Sequence, residues 1–84
     1  MSKRLYSAKR QKFRELLKQA RLGASLTQME LAARLRRHQS YVSDYERGHR
    51  RLDWVAVEEI LTACQYELAK FAREYIVVTK SLSD

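Results

Sequence analysis

The sequence predicts a small all-α protein, and three observations support this fold class. The chain of 84 residues contains no proline and two glycines, a composition that suits helices and disfavours a turn-rich β fold. Apolar residues recur at helical spacing along most of the chain. The length allows a single domain, residues 1–84, whose core we place at about 10–75. We expect residues 1–8 and 79–84, which lack this spacing, to be mobile ends.

The first two helices have recognisable boundaries. The first should end near Gly23, because glycine readily takes the left-handed conformation that follows a helix terminus. Thr27 with Glu30 three residues later is a capping-box pattern, which predicts where the second helix begins. Their apolar faces are Phe13, Leu16, Leu17 and Ala20 in the first helix, and Leu31, Ala32 and Leu35 in the second.

Three further helices follow. The third is expected from about Gln39 to Arg47, with Gly48 as its stop. Asp53 is placed to cap the fourth helix. The apolar faces are Val42 and Tyr45 in the third helix, Trp54, Val57, Ile60, Leu61 and Cys64 in the fourth, and Leu68, Phe71, Ala72 and Tyr75 in the fifth.

Basic side chains are concentrated in the first part of the chain. The net charge is +7, but residues 1–51 hold 14 basic and 4 acidic side chains, whereas residues 52–84 hold 3 and 6. A strongly basic first segment followed by a mildly acidic second segment is typical of a nucleic-acid-binding protein. A solvated basic surface without a partner explains the charge equally well, so the charge alone does not decide between them.

The stretch from Gln28 to Arg47, QMELAARLRRHQSYVSDYER, has the pattern of a helix-turn-helix. Read as a twenty-residue motif, it is apolar at its fourth, eighth, fifteenth and eighteenth positions and small at its fifth, as two closely packed helices require. These positions are Leu31, Leu35, Val42, Tyr45 and Ala32. The motif and its flanking helices resemble the phage-repressor and Cro family, often called the XRE family, over about residues 10–72. The resemblance implies a five-helix, lambda-repressor-like domain that binds double-stranded DNA and regulates transcription, and we expect a repressor.

The resemblance also implies roles for individual residues. In the family, the outward positions of the third helix meet base edges in the major groove, and these correspond to Gln39, Ser40, Ser43 and Asp44. A glutamine pairs with adenine and an aspartate accepts from the cytosine amino group, so the chemistry agrees. Gln28 matches a glutamine that binds a phosphate and braces the third helix. Arg21 and Glu46 match an ion pair that ties the first helix to the end of the third.

Further phosphate contacts are expected around the third helix. Arginines bracket it and are natural partners of DNA phosphates; Tyr41 either lies against the DNA backbone or packs beside the turn. The set is Arg34, Arg36, Arg37, Tyr41, Arg47, Arg50 and Arg51.

Two adjacent residues depart from the family pattern. Arg36 stands where the family has a glycine with positive φ, and Arg37 stands at a position that is usually apolar. A left-handed arginine costs about 1–2 kcal/mol. We therefore expect the turn to be reshaped or the second helix to end differently, with both arginines free to reach the DNA backbone.

The apolar run from Tyr75 to Val78, close to the end of the chain, predicts a partner surface. We expect a homodimer joined through the fifth helix and this tail; the alternative is a tail folded back on its own core. A second candidate function is an antitoxin that binds a toxin and autoregulates its operon, and a third is a protein adaptor that has lost DNA binding.

Other classes of function lack support in the sequence. The single cysteine, Cys64, has no disulfide or metal partner, and no nucleophile with a matched base or glycine-rich phosphate loop is present. We therefore expect no enzymatic activity, no cofactor and no metal. Without a signal peptide or membrane-spanning stretch, the protein should be cytoplasmic, and nucleoid-associated when bound to DNA.

Overall fold

The computed structural model describes residues 2–82, which fold into helices joined by short loops. The helices are α1 (Lys3–Gly23), α2 (Gln28–Leu35), α3 (Gln39–Glu46), α4 (Trp54–Ala63) and α5 (Leu68–Lys80). This confirms the predicted all-α, five-helix fold class. No helix among residues 2–82 is long and apolar enough to cross a membrane.

Side chains cap the starts of α2, α3 and α4, and those of α2 and α4 are the predicted caps, Thr27 and Asp53. The Thr27 hydroxyl accepts from the Glu30 backbone N–H at 3.0 Å, while the Glu30 carboxylate accepts from the Thr27 N–H at 2.8 Å, so the capping box is complete. Asp53 accepts from the Ala56 N–H at 2.8 Å and starts α4. His38 caps α3 through its Nδ1, which accepts from the Ser40 N–H at 3.2 Å.

The first and last helices are longer than the sequence predicted. α1 begins at Lys3, where the Ser2 hydroxyl accepts from the Leu5 N–H at 3.0 Å. α5 continues to Lys80, and Thr79 is buried with its hydroxyl donating to the Tyr75 carbonyl at 2.7 Å. Residues 3–8 and 79–80 therefore lie in helices, not in mobile ends, because local capping and hydrogen bonding extend α1 and α5 where apolar spacing gives no signal. Residue 1 and residues 83–84 lie outside the described part of the chain.

The turn after α2 corrects the expectation of a reshaped geometry. Arg36 itself takes the left-handed conformation, with φ 57° and ψ 44°. Its N–H donates to the Ala33 carbonyl at 3.1 Å, and the Arg37 N–H donates to the Ala32 carbonyl at 2.9 Å. These bonds satisfy carbonyls at the end of α2 that would otherwise lack partners, which offsets the strain of a left-handed arginine. Both arginine side chains are exposed.

Two other helices, α1 and α4, are also followed by a residue other than glycine in the left-handed conformation. α1 ends at Gly23 as predicted, but the left-handed residue is Ser25, with φ 59°. Gln65 has φ 54° just after α4. Gly48, which follows α3, is the left-handed glycine, with φ 84°.

The core lies where α3 packs against α1 and α2 packs against α4, and α5 closes it by packing against α1 and α4. Its most completely buried side chains are Leu17, Leu31, Val42, Tyr45, Ile60 and Leu61. Phe13 joins α1 to α5 through edge-on contacts with Phe71, at 5.8 Å between ring centroids, and with Tyr75, at 6.4 Å. Cys64 is buried in this core, and burial raises the pKa of its thiol. Trp54, which was assigned to the buried face of α4, is instead 63% exposed because it opens the helix at the rim of a groove.

Candidate nucleic-acid interface

A buried hydrogen-bond network fixes the position of α3. Arg21 on α1 donates from Nε to Glu46 Oε2 at 2.8 Å and from Nη2 to Glu46 Oε1 at 3.0 Å. The same guanidinium donates from Nη1 to the Leu26 carbonyl at 2.9 Å. Gln28, the first residue of α2, donates from Nε2 to Glu46 Oε1 at 3.0 Å. One carboxylate at the end of α3 therefore binds side chains from both α1 and α2.

The Arg21–Glu46 pair is shielded from water. The side chains are 7% and 5% exposed, which makes this an enclosed ion pair and not a loose surface bridge. The hydrogen bond with Glu46 raises the pKa of Arg21, although burial acts in the opposite direction. A bidentate guanidinium–carboxylate pair also has a defined geometry, so it sets the angle of α3 as well as its distance from α1.

The side of α3 opposite the core carries the polar residues that the sequence assigned to base reading. Tyr41, Val42 and Tyr45 are buried, whereas Gln39 and Ser40 are exposed and Ser43 and Asp44 are half-buried. These four polar residues occupy one face of α3 and leave the helix free to approach a groove.

Asp44 is paired at the far end of this face. Arg47 donates from Nη2 to Asp44 Oδ1 at 3.2 Å, with the two side chains 61% and 31% exposed respectively. An exposed pair of this kind contributes little to stability, so either partner is available to another ligand.

Tyr41 forms a platform for two arginines. Its side chain is buried, and the guanidinium carbons of Arg37 and Arg50 lie 4.5 Å and 5.1 Å from its ring centroid. Stacking on an aromatic ring orients a guanidinium while leaving its edge N–H groups available. The structure thus brings together three residues that the sequence assigned to phosphate contact, and places Tyr41 beside the turn.

Arg34 and Arg36 lie apart from that platform. Arg34 donates from Nη1 to the Ala63 carbonyl at 2.9 Å, which links α2 to the end of α4. Both arginines line a groove that also contains Glu58 and Glu59. This placement favours a structural role for Arg34.

Two arginines of α1 were not singled out from the sequence. Arg10 and Arg14 line a cavity together with Arg50 and Arg51 of the α3–α4 loop. Arg10 and Arg14 are four residues apart, which places them on one face of α1. This spacing is the sequence signal that could have identified them as a pair. It was missed because basic residues are spread over the whole first half of the chain.

An apolar groove between α1 and α5 adjoins this cavity, and Tyr6, Arg10 and Phe13 line both. It is lined mainly by Tyr6, Phe13, Trp54, Phe71, Tyr75 and Ile76. Ile76 is 60% exposed, and its neighbour Val77 is 69% exposed. The Tyr75–Val78 run is thus the second half of α5 and not a separate tail, and it presents apolar side chains to solvent.

Known proteins share both the sequence pattern and the fold. The family described as "Helix-turn-helix domain" matches residues 12–73. A solved structure of an XRE-family like protein from Pseudomonas syringae pv. tomato str. DC3000 is 35% identical, with a TM-score of 0.85, and the match covers 92% of this chain and 94% of that one. No curated protein matches the chain. The chain therefore belongs to the XRE family of helix-turn-helix proteins, and it is a DNA-binding transcriptional regulator.

Proposed function

We propose that this protein is a sequence-specific repressor that acts in the cytoplasm by occupying double-stranded DNA. The observation that carries the proposal is the outward face of α3, which is polar, unobstructed and held at a fixed angle by the buried Arg21–Glu46 pair. A rigid helix with exposed polar side chains fits the major groove and can distinguish base pairs there.

Gln39, Ser40, Ser43 and Asp44 are the proposed base-reading residues. Gln39 stands at the N-terminus of α3 and has an exposed side chain suited to a bidentate bond with adenine. The Asp44 carboxylate repels phosphate. When the Arg47 guanidinium leaves Asp44 for the DNA backbone, the Asp44 carboxylate selects a base donor such as the cytosine amino group.

Phosphate contacts position this face on the duplex. Arg37 and Arg50, stacked on Tyr41, flank α3, and Arg51 follows in the same loop. Gln28 uses one amide N–H to hold Glu46, and the second N–H of its amide is available to a phosphate oxygen. Arg36 and Arg47 are exposed and complete the proposed set, in which Arg34 has the weakest support because it is bonded to Ala63.

Selection from a randomised duplex library at near-physiological salt tests this function. We expect one sequence motif to be enriched. Gln39→Ala and Asp44→Ala should then each relax the preference at particular base pairs, at a cost of about 1–3 kcal/mol. Arg37→Ala should instead weaken binding to all sequences and lower the log–log salt slope by about 0.9. Lys12→Ala removes one positive charge from the exposed Lys12–Glu15 pair of α1 and serves as the control.

Retention of DNA without any enriched motif would contradict sequence-specific reading. An unchanged motif in both Gln39→Ala and Asp44→Ala would refute the assignment of the reading face.

We further propose that two copies associate through the exposed apolar side of α5. Ile76 and Val77 project from this helix, and the neighbouring groove is lined by aromatic rings. Apolar surface of this kind is costly in water and is covered in a two-fold dimer. A second copy is the occupant favoured here, because a dimer of reading helices also matches a two-fold operator.

Light scattering at micromolar concentration tests the dimer directly. We expect twice the chain mass, reduced to one chain mass by Val77→Asp; the matched control Val55→Asp, at an exposed valine of α4, should leave the dimer mass unchanged. A wild-type mass of one chain would refute the dimer, and enrichment of a single half-site in the library would agree with that result.

The same apolar groove supports a second candidate function, an antitoxin that binds a toxin and autoregulates its operon. The two functions differ in genetic context, because an antitoxin is encoded beside a toxin-like gene. Purification of the two gene products as a stoichiometric complex that Ile76→Asp, in the wall of this groove, disrupts would favour the antitoxin. A neighbouring region without such a gene would exclude it.

A further inference from the structure

We propose that the cavity between α1 and the α3–α4 loop is a binding site for a phosphate-type oxyanion. The cavity has a volume of about 210 Å³, and its walls include Arg10, Arg14, Arg50, Arg51 and Tyr45. This volume lies below the roughly 300–1,000 Å³ typical of sites for larger organic ligands. A compact anion, such as a phosphate group, suits this size and the four arginines, while Tyr6, Phe13, Leu17 and Leu52 form the rest of the wall.

Two buried polar groups in the cavity wall lack a partner. Among residues 2–82, neither the Tyr45 hydroxyl nor the Nε of Arg14 has a hydrogen-bond partner, and Tyr45 is 1% exposed. Buried polar groups in folded proteins are almost always satisfied, so each such exception calls for an explanation. Both groups are donors here, because burial raises the pKa of Tyr45 and keeps its phenol protonated. Arg14 Nε can only donate and the protonated Tyr45 hydroxyl has a proton to donate, so an acceptor in the cavity satisfies both groups.

The charge around the cavity indicates that the acceptor is an anion. Four arginines line it, no acidic side chain does, and none of the four pairs with a carboxylate among the described residues. Like charges gathered around one cavity repel each other, and a bound oxyanion relieves that repulsion. The fork of guanidinium donors also matches the geometry of phosphate oxygens.

Arg14 is held in place for this role by the loop itself. A Cβ added to Gly48 would lie 2.9 Å from Arg14 Cζ, so the guanidinium packs directly against the backbone of this glycine. The fit fixes the position of Arg14 before any ligand arrives, which lowers the entropy cost of binding.

The location of the cavity leaves two sources for the phosphate. Arg50 lines the cavity and also stacks on Tyr41 of α3, so the site adjoins the proposed DNA-binding surface. The ligand is either a phosphodiester of the DNA backbone or a free phosphate group. Only the first source depends on the proposed function.

Thermal unfolding with inorganic phosphate, compared with chloride at equal ionic strength, tests the site without DNA. We expect phosphate to raise the Tm of the wild-type protein. Tyr45→Phe keeps the packing but removes the unpartnered hydroxyl, so it should raise the Tm without phosphate and weaken phosphate binding about tenfold or more. Arg14→Gln should weaken phosphate binding to a similar extent. The controls Tyr66→Phe and Lys12→Gln, at residues that do not line the cavity, should retain the wild-type response.

Duplex binding by the same variants identifies the source. If a DNA phosphate occupies the site, Tyr45→Phe and Arg14→Gln weaken binding to all sequences, and Arg14→Gln lowers the salt slope by about 0.9. If free phosphate is the ligand, the variants lose the phosphate response but bind DNA as the wild type does. The proposal is overturned if both variants match their controls in the phosphate response and in the salt slope. If the protein does not bind DNA at all, the effect of inorganic phosphate on the Tm of the wild type and the variants tests the proposal by itself.

Discussion

Replacing Glu46 with alanine removes the acceptor on which α1, α2 and α3 converge. The carboxylate accepts hydrogen bonds from Arg21 Nε, Arg21 Nη2 and Gln28 Nε2, at 2.8, 3.0 and 3.0 Å. Arg21 is 6% exposed and keeps a hydrogen bond to the Leu26 carbonyl alone once the carboxylate is gone. The variant therefore leaves a charged group buried without its counter-ion.

The expected loss of stability is large for a chain of this size. Removing one partner of a buried ion pair typically costs about 3–5 kcal/mol, against a total stability of about 5–15 kcal/mol for most domains. In a domain of 60–100 residues, this corresponds to a fall in Tm of at least about 12 °C. Thermal unfolding followed by circular dichroism at pH 7 measures the change, and urea titration supplies the free energy.

The matched control is Glu15→Ala, which removes a carboxylate from the exposed Lys12–Glu15 pair at 3.7 Å. That change should cost less than about 1 kcal/mol. If Glu46→Ala also costs less than about 1 kcal/mol, the buried network does not hold the helix-turn-helix together, and the argument for a fixed angle of α3 fails.

Four further predictions concern the turns and caps. Arg36→Gly should stabilise the protein by about 1 kcal/mol, because glycine takes φ 57° without strain; a measured loss would refute this. Gly48→Ala should have the opposite sign and destabilise it by more than about 1 kcal/mol, since φ is 84° and the new Cβ meets Arg14. Thr27→Ala should cost about 1 kcal/mol through loss of the cap. The hydrogen bond from the Thr27 backbone lowers the pKa of the Glu30 carboxyl below its ordinary value, so the stability that this carboxylate contributes is present above that ordinary pKa and is lost as the pH falls through the lowered one. Acid titration of Glu30→Gln should show a smaller pH dependence over that range, and an identical curve would contradict this assignment.

The sequence was sufficient to predict the fold because the helix-turn-helix imposes strict residue types at its contacts. Leu31, Ala32, Val42 and Tyr45 are all buried, and each was expected from helical spacing. The sequence pattern predicts less well where backbone hydrogen bonds determine the conformation of a turn. Arg36 shows this, since the energy of closing the end of α2 outweighs the strain that the residue type alone would predict.

The contacts made by long polar side chains were harder to predict. The position of Arg14 against Gly48 depends on how the α3–α4 loop folds over α1, which no spacing rule describes.

Trp54 followed the apolar pattern of α4 but lies at its first residue, where the helix has not yet reached the core. Periodicity identifies the face of a helix but not how far along the helix burial begins.

The outward residues of α3 take part in none of the hydrogen bonds that hold that helix to α1 and α2. Gln39 and Ser43, for example, can be exchanged without disturbing Arg21, Gln28 or Glu46. The protein therefore separates the positions that determine what is read from those that maintain its shape. A library randomised at the outward positions should consist largely of folded members, so new specificities can arise by substitution there without compensating changes elsewhere in the chain.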